Sequence, residues 1–140
     1  KDIKWDKNSL YIFLDKDKIS IPIIEGTINV LIQDSEGNVF VDLGSSGEVQ
    51  LSAPIGAILP FRLWIHTHPW NAYWSFTDCR TLRTFTGLLE VAIVLGHDHW
   101  KRTRCQMKMG ESLPDGVEDP LNMWTDEEIQ HYPVISGAEC

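Results

Sequence analysis

The stretch WIHTHPWNAYWSFTD, Trp64 to Asp78, decides how the rest of the chain is read. Its first part continues RLWIHTH, a β-rich run that Pro69 ends. On a strand, side chains two apart share a face, so His66 and His68 can reach one ion. Its last part, Ser75-Phe76-Thr77-Asp78, is a capping-box-like helix start with TDCRTLRTF behind it. A strand that ends and a helix that begins can bring Asp78 back towards both histidines. Three protein ligands with a fourth position for water is the pattern of catalytic zinc. Each residue also has a plainer role: the histidines as strand residues, Ser75 as an N-cap, Asp78 as its partner.

Outward from this stretch, LLEVAIVLG reads as a buried strand with almost no alternation. GHDHW then turns the chain into WKRTRCQMK, a solvent-facing strand. His97 and His99 repeat the His-x-His spacing, but no carboxylate is arranged after them, so they read as surface hairpin residues. Upstream, LYIFLDKDKISIPII reads as two strands around a charged turn. GTINVLIQDSEGNVFVDLG is a hairpin turning at Ser35-Glu36-Gly37-Asn38, and EVQLS is another short strand. After Gly110 the composition shifts to Pro, Gly and acids, with PLNMWTDEEIQHY able to form a short helix. The expected architecture is α+β: a strand-rich domain over 1–110 with a mixed sheet and a central helix starting near Ser75. A tail over 111–140 would pack on it or extend from it.

A chain of 140 residues is about one domain, large enough for its own core. No apolar run approaches the roughly 20 residues of a spanning helix, so no membrane partner is expected. KDIKWDKN carries no apolar signal core and no initiator Met, which reads as an excised domain or a processed chain. The net charge of -8 argues against nucleic acid, which needs a basic footprint. Cys79, Cys105 and Cys140 make no CxxC pair, and their odd count suits reduced thiols in a cytoplasm. A Cys79–Cys105 bridge is the one pairing considered.

The order His66-Thr67-His68-Pro69, five residues, then Ser75-Phe76-Thr77-Asp78 resembles the JAMM metalloprotease signature of the MPN-plus/JAB family. In that family an upstream glutamate precedes the histidines, and the spacer is often slightly longer. The resemblance reaches roughly from Glu25 to Lys108. It implies an MPN/JAB-like fold and a zinc hydrolase cutting isopeptide or peptide bonds, often after the C-terminus of a ubiquitin-like protein. Carried over, His66, His68 and Asp78 would hold one zinc, and Ser75 would steady the tetrahedral intermediate. Zinc would lower the pKa of a bound water towards about 7.

The family's glutamate would carry the proton from that water to the leaving amine. Glu25, Glu36 and Glu48 all precede the histidines. Glu36 falls in a tight turn and Glu48 begins a strand. Glu25 follows IPII and is an acid in apolar sequence, which needs a reason. Glu25 is therefore the candidate base. The family usually places a helix before this glutamate, whereas here the residues read as strands.

Trp64 is expected to face the core. Trp70, Tyr73 and Trp74 either pack the loop onto the body or wall a narrow groove for an extended, small-residue tail of a ubiquitin-like protein. Two other readings stand beside the isopeptidase. One is a non-catalytic MPN-like scaffold that dimerises with another MPN-type domain; such scaffolds usually lack the ligands that this chain retains. The other is a zinc amidohydrolase of the same fold acting on a small molecule.

Overall fold

The structure, a computed structural model, describes residues 2–6, 9–14, 17–22, 30–42, 56–68 and 70–131. Glu25, Glu48, the EVQLS segment and Cys140 lie outside the described residues. Strands β1 (Asp2–Asp6), β2 (Ser9–Leu14) and β3 (Asp17–Pro22) form an antiparallel sheet in that order. The β2–β3 pair is the one read from LYIFLDKDKISIPII, with Leu14 opposite Asp17 at its turn.

The second sheet is mixed and has six strands, in the order β5-β4-β6-β7-β8-β9. These are β4 (Val30–Gln33), β5 (Val39–Asp42), β6 (Phe61–Thr67), β7 (Leu89–Leu95), β8 (His99–Arg104) and β9 (Gln130–His131). Among the described strands only β6 and β7 run parallel, and helix α1 (Phe76–Thr84) forms the connection between them. The chain is thus α+β around one β-α-β unit. Every residue of β6 except Arg62 is buried, as expected for a central strand covered on both faces. Among the described residues no helix is long and apolar enough to cross a membrane.

The core beneath α1 gathers Val30, Ile32, Phe61, Trp64, Leu82, Leu89, Ala92 and Trp124. Trp64 is fully buried, as its sequence context predicts. Trp124 comes from beyond Gly110 and ties the C-terminal segment to the helix. Its indole N–H approaches both Leu82 O, at 3.1 Å, and Thr86 Oγ1, at 3.0 Å. Removing an indole buried this way costs about 3–5 kcal/mol. Arg83 pairs with Asp119 at 2.9 Å, and Glu127 takes Arg102 and Arg104 at 2.9 and 3.0 Å. Arg102 and Arg104 of β8 therefore face one acid of the same chain, Glu127.

The helix expected in PLNMWTDEEIQHY is only one 3-10 turn, Pro120–Met123, capped by Asp119. Beyond it, Trp124 is drawn into the core and bridges Cys105. Thr103 Oγ1 donates to Thr125 O at 2.6 Å, and β9 pairs with β8. Tertiary contacts hold these residues extended, where local propensity alone allowed a helix.

The β4–β5 hairpin turns through Gly37, whose φ of +87° favours a residue without a Cβ. Asp34 organises that turn. Its carboxylate accepts from the amides of Glu36, Asn38 and Ile58 at 2.9–3.1 Å, and from the Asn38 side chain at 3.1 Å. The Ile58 bond fastens the hairpin to the segment leading into β6. Cys79 and Cys105 are free thiols, so the bridge considered between them does not form.

Candidate metal centre

The site lies at the carboxyl end of β6, beside its parallel neighbour β7, where open α/β arrangements commonly place ligands. Strand pairing sets the histidines. His66 stands opposite Val30 on one side and Val94 on the other, and the His68 amide donates to Leu95 O at 2.8 Å. Trp64, two residues before His66 on the same face, stacks on its ring at 4.3 Å between centroids and 12° between planes. That stack fixes the plane of the first imidazole.

Helix α1 sets the carboxylate. Ser75 Oγ accepts the amide of Asp78 at 3.1 Å, and Asp78 Oδ2 accepts the amide of Ser75 at 3.0 Å. This is a reciprocal capping box. The same Oδ2 lies 3.0 Å from His66 Nε2 and 3.1 Å from His68 Nε2. Ligand atoms of all three side chains fall within 4.8 Å of one another, and His66 and Asp78 are buried. The group can hold a metal ion.

Electrostatics agree with a ligand set. Burial pushes His66 below its ordinary value; Asp78 pulls it upward without prevailing, and His68 lowers it further. The imidazole is therefore neutral, the form that coordinates a cation. Burial would raise Asp78, but the contacts with His66 and His68 and the Ser75 amide outweigh it and hold the carboxyl below the usual range. Asp78 is an anion beside two imidazoles.

The fit to a metal rests on His66. Although its Nε2 approaches Asp78 closely, neither ring nitrogen makes a well-formed hydrogen bond among the described residues. A buried polar atom left so is costly, and a cation at the shared focus would satisfy Nε2. Tetrahedral ligands about 2.0–2.1 Å from zinc sit about 3.3 Å apart, close to the nitrogen–oxygen separations here.

The expected site residues fare differently. His66, His68, Ser75 and Asp78 are brought together. Glu25 lies outside the described residues, and Glu36 is exposed in the β4–β5 turn. Tyr73 is 53% exposed, with its ring 4.6 Å from that of His68. Trp70 is 61% exposed. Trp74 is half-buried and packs against the core, with its ring 6.1 Å from His66. Phe76, 75% exposed in the first turn of α1, is a further aromatic beside the cap that the sequence reading passed over. An apolar residue just after a predicted N-cap was the available signal. His99 corrects an expectation: it is buried, and its Nε2 accepts the amide of Ala72 at 2.9 Å. Only His97 of that pair is exposed.

No family model, curated protein or solved structure matches this chain.

Proposed function

We propose that this chain is a zinc-dependent peptidase or isopeptidase of the JAMM type, acting after the C-terminus of a ubiquitin-like protein. The observation that carries the reading is the convergence of His66, His68 and Asp78 on one point, with the buried His66 ring left without a well-formed hydrogen bond. His66, His68 and Asp78 would hold the zinc, which supplies Lewis acidity to activate water and polarise the scissile carbonyl. Two histidines and one carboxylate suit zinc and leave a position open for water.

Ser75 has the second role. Its oxygen accepts one amide in the cap, and that bond leaves the hydroxyl hydrogen able to donate. Donation to the oxyanion that develops on the substrate carbonyl would stabilise the transition state. The glutamate accepts a proton from the attacking water and delivers it to the leaving amine, so the amide bond breaks with no net proton change. Glu25 is the residue proposed for this. Exposed Trp70 and Tyr73 offer flat apolar surface for an extended, small-residue tail; half-buried Trp74 packs against the core instead.

The test is to offer the zinc-loaded protein a panel of ubiquitin-like fusions beside small amides and read cleavage by intact mass. Cleavage after the ubiquitin-like C-terminus supports the reading. Turnover of small amides alone points to an amidohydrolase, and zinc binding without turnover of either class leaves a scaffold.

A further inference from the structure

The loop Trp70–Trp74 joins the two histidine ligands to the helix that carries Asp78. It is held from outside the ligand set, by the turn between β7 and β8. The His97 amide donates to Trp70 O at 2.7 Å. Ala72 is buried, and its amide donates to His99 Nε2 at 2.9 Å. Gly96 lets the two segments touch: a Cβ there would stand 2.7 Å from Ala72 N and 2.8 Å from Trp70 O.

His99 is 9% exposed, so the bond to Ala72 is shielded from water. An imidazole that accepts at Nε2 must carry its hydrogen on Nδ1. Asp98 Oδ1 faces that nitrogen and is placed to accept it. The other titratable group near the ring, among the described residues, is His131 on β9, edge-on with centroids 6.2 Å apart. Asp98 thus sets the tautomer that Ala72 requires.

We propose that His99 is a positioning residue for the metal site: its Nε2, as an acceptor for the Ala72 amide, fixes the loop between the ligands. The positioning role rests on the zinc reading above. Without that acceptor the buried amide of Ala72 would be left unpaired. Tyr73, whose ring lies against His68, and Ser75, which caps the helix bearing Asp78, follow within three residues of Ala72. Freeing Ala72 loosens what sets the two histidines against the aspartate.

The test is read first on Ala72 itself, by NMR of the metal-free protein. His99 should show the Nδ1–H tautomer near neutral pH. Ala72 amide protection, corrected for intrinsic exchange, should be on the order of tenfold lower in His99→Phe than in the parent at the same pH. In His99→Gln the side-chain oxygen can accept the same amide, so protection should stay close to the parent's. Zinc affinity is measured next. His99→Phe, with no acceptor, should bind zinc on the order of tenfold more weakly, and His99→Gln should stay close to the parent. If His99→Phe does not fold, Asp98→Ala, at an exposed side chain, should mix the tautomers and lower Ala72 protection.

An Nε2–H tautomer, parent-like Ala72 protection in His99→Phe, unchanged protection in Asp98→Ala, or parent-like zinc affinity in His99→Phe each overturns the proposal. A parent that binds no zinc overturns the positioning role together with the zinc reading. The Ala72 measurements then still report whether the His99 contact exists, so the two failures are told apart.

Discussion

Ser75 and Asp78 hold each other across the first turn of α1, each accepting the other's backbone amide, and the Asp78 oxygen that does so is the one facing both histidines. The helix cap and the ligand set therefore share an atom. A cap fixes the rotamer of its acidic partner, so the carboxylate is oriented before any cation arrives. The positive end of the helix also favours the charged form of Asp78.

That sharing separates two substitutions. Ser75→Ala removes the hydroxyl but not the Ser75 amide that bonds Asp78. It should lose about 1 kcal/mol of stability, keep zinc, and lose turnover by about 10²–10³-fold if the hydroxyl serves the oxyanion. Asp78→Asn can still accept the Ser75 amide, so it should fold; without its charge it should lose most of the metal. Elemental analysis and urea melts of both variants check this. Full zinc in Asp78→Asn would remove Asp78 from the ligand set, and a Ser75→Ala enzyme that merely melts earlier would leave Ser75 as a cap alone.

Metal should also act on stability. A ligand that binds only the folded state stabilises by mass action, about 2.7 kcal/mol at a hundred times Kd. Titrating zinc into stripped protein should raise Tm and saturate at about one equivalent. His66→Ala and His68→Ala should abolish that rise. A parent Tm indifferent to zinc, with no zinc retained on dialysis, would count against the metal centre.

Local signals made the β6-loop-α1-β7 unit legible in the sequence: a β-rich run closed by Pro69, a capping pair at Ser75 and Asp78, and a continuous apolar strand after them. The hairpin around Gly37 was legible for the same reason. Long-range choices were not. Nothing near His99 indicates that it meets the amide of Ala72, 27 positions away, so its spacing read as a surface turn. Trp124 sits in a segment of helical composition, yet burial against Leu82 keeps it extended. The role of Asp34 was not legible either, because one of its partners, Ile58, is distant in sequence.

Asp34 predicts a pH dependence. The residue has no solvent-accessible surface. Burial pushes its carboxyl up, but the Asn38 side chain and the amides of Ile58, Asn38 and Glu36 outweigh it and leave it below its ordinary value. A depressed folded value means the unfolded chain binds the proton more readily. The stabilisation is therefore full above the unfolded value of about 3.9 and is lost as pH falls through the folded one. Asp34→Asn should be less stable than the parent near neutrality, and the gap should narrow in acid. Denaturant melts of both proteins across that range measure it; a gap that widens as pH falls would contradict the assigned hydrogen bonds.

Gly96 tests how tightly the loop must sit. A methyl group there meets backbone atoms of Trp70 and Ala72, which cannot swing aside as a side chain can. Gly96→Ala should cost about 1–3 kcal/mol through displaced backbone. Zinc affinity should fall as well, because the displaced segment runs between the ligands. A Gly96→Ala protein with the parent's melting point and zinc affinity would show that the loop's seat on the β7–β8 turn is dispensable.

The proton carrier is the last assignment to test. A general base must come within hydrogen-bond reach of the attacking water but need not touch the metal. Glu36 does not suit this: it is exposed, in a turn organised by Asp34. Glu25→Gln keeps the size of the side chain and cannot accept the proton. It should fold, hold zinc as the parent does, and lose about 10²–10⁴-fold in turnover. Glu36→Gln and Glu48→Gln remove the same single charge, so any general electrostatic effect would reach all three variants alike. A proton carrier is one residue, and only one variant should fail. Near-parent turnover in Glu25→Gln with a dead Glu48→Gln would move the base to Glu48. Three active variants would mean that none of these glutamates carries the proton, and the JAMM mechanism would have to be given up for this chain.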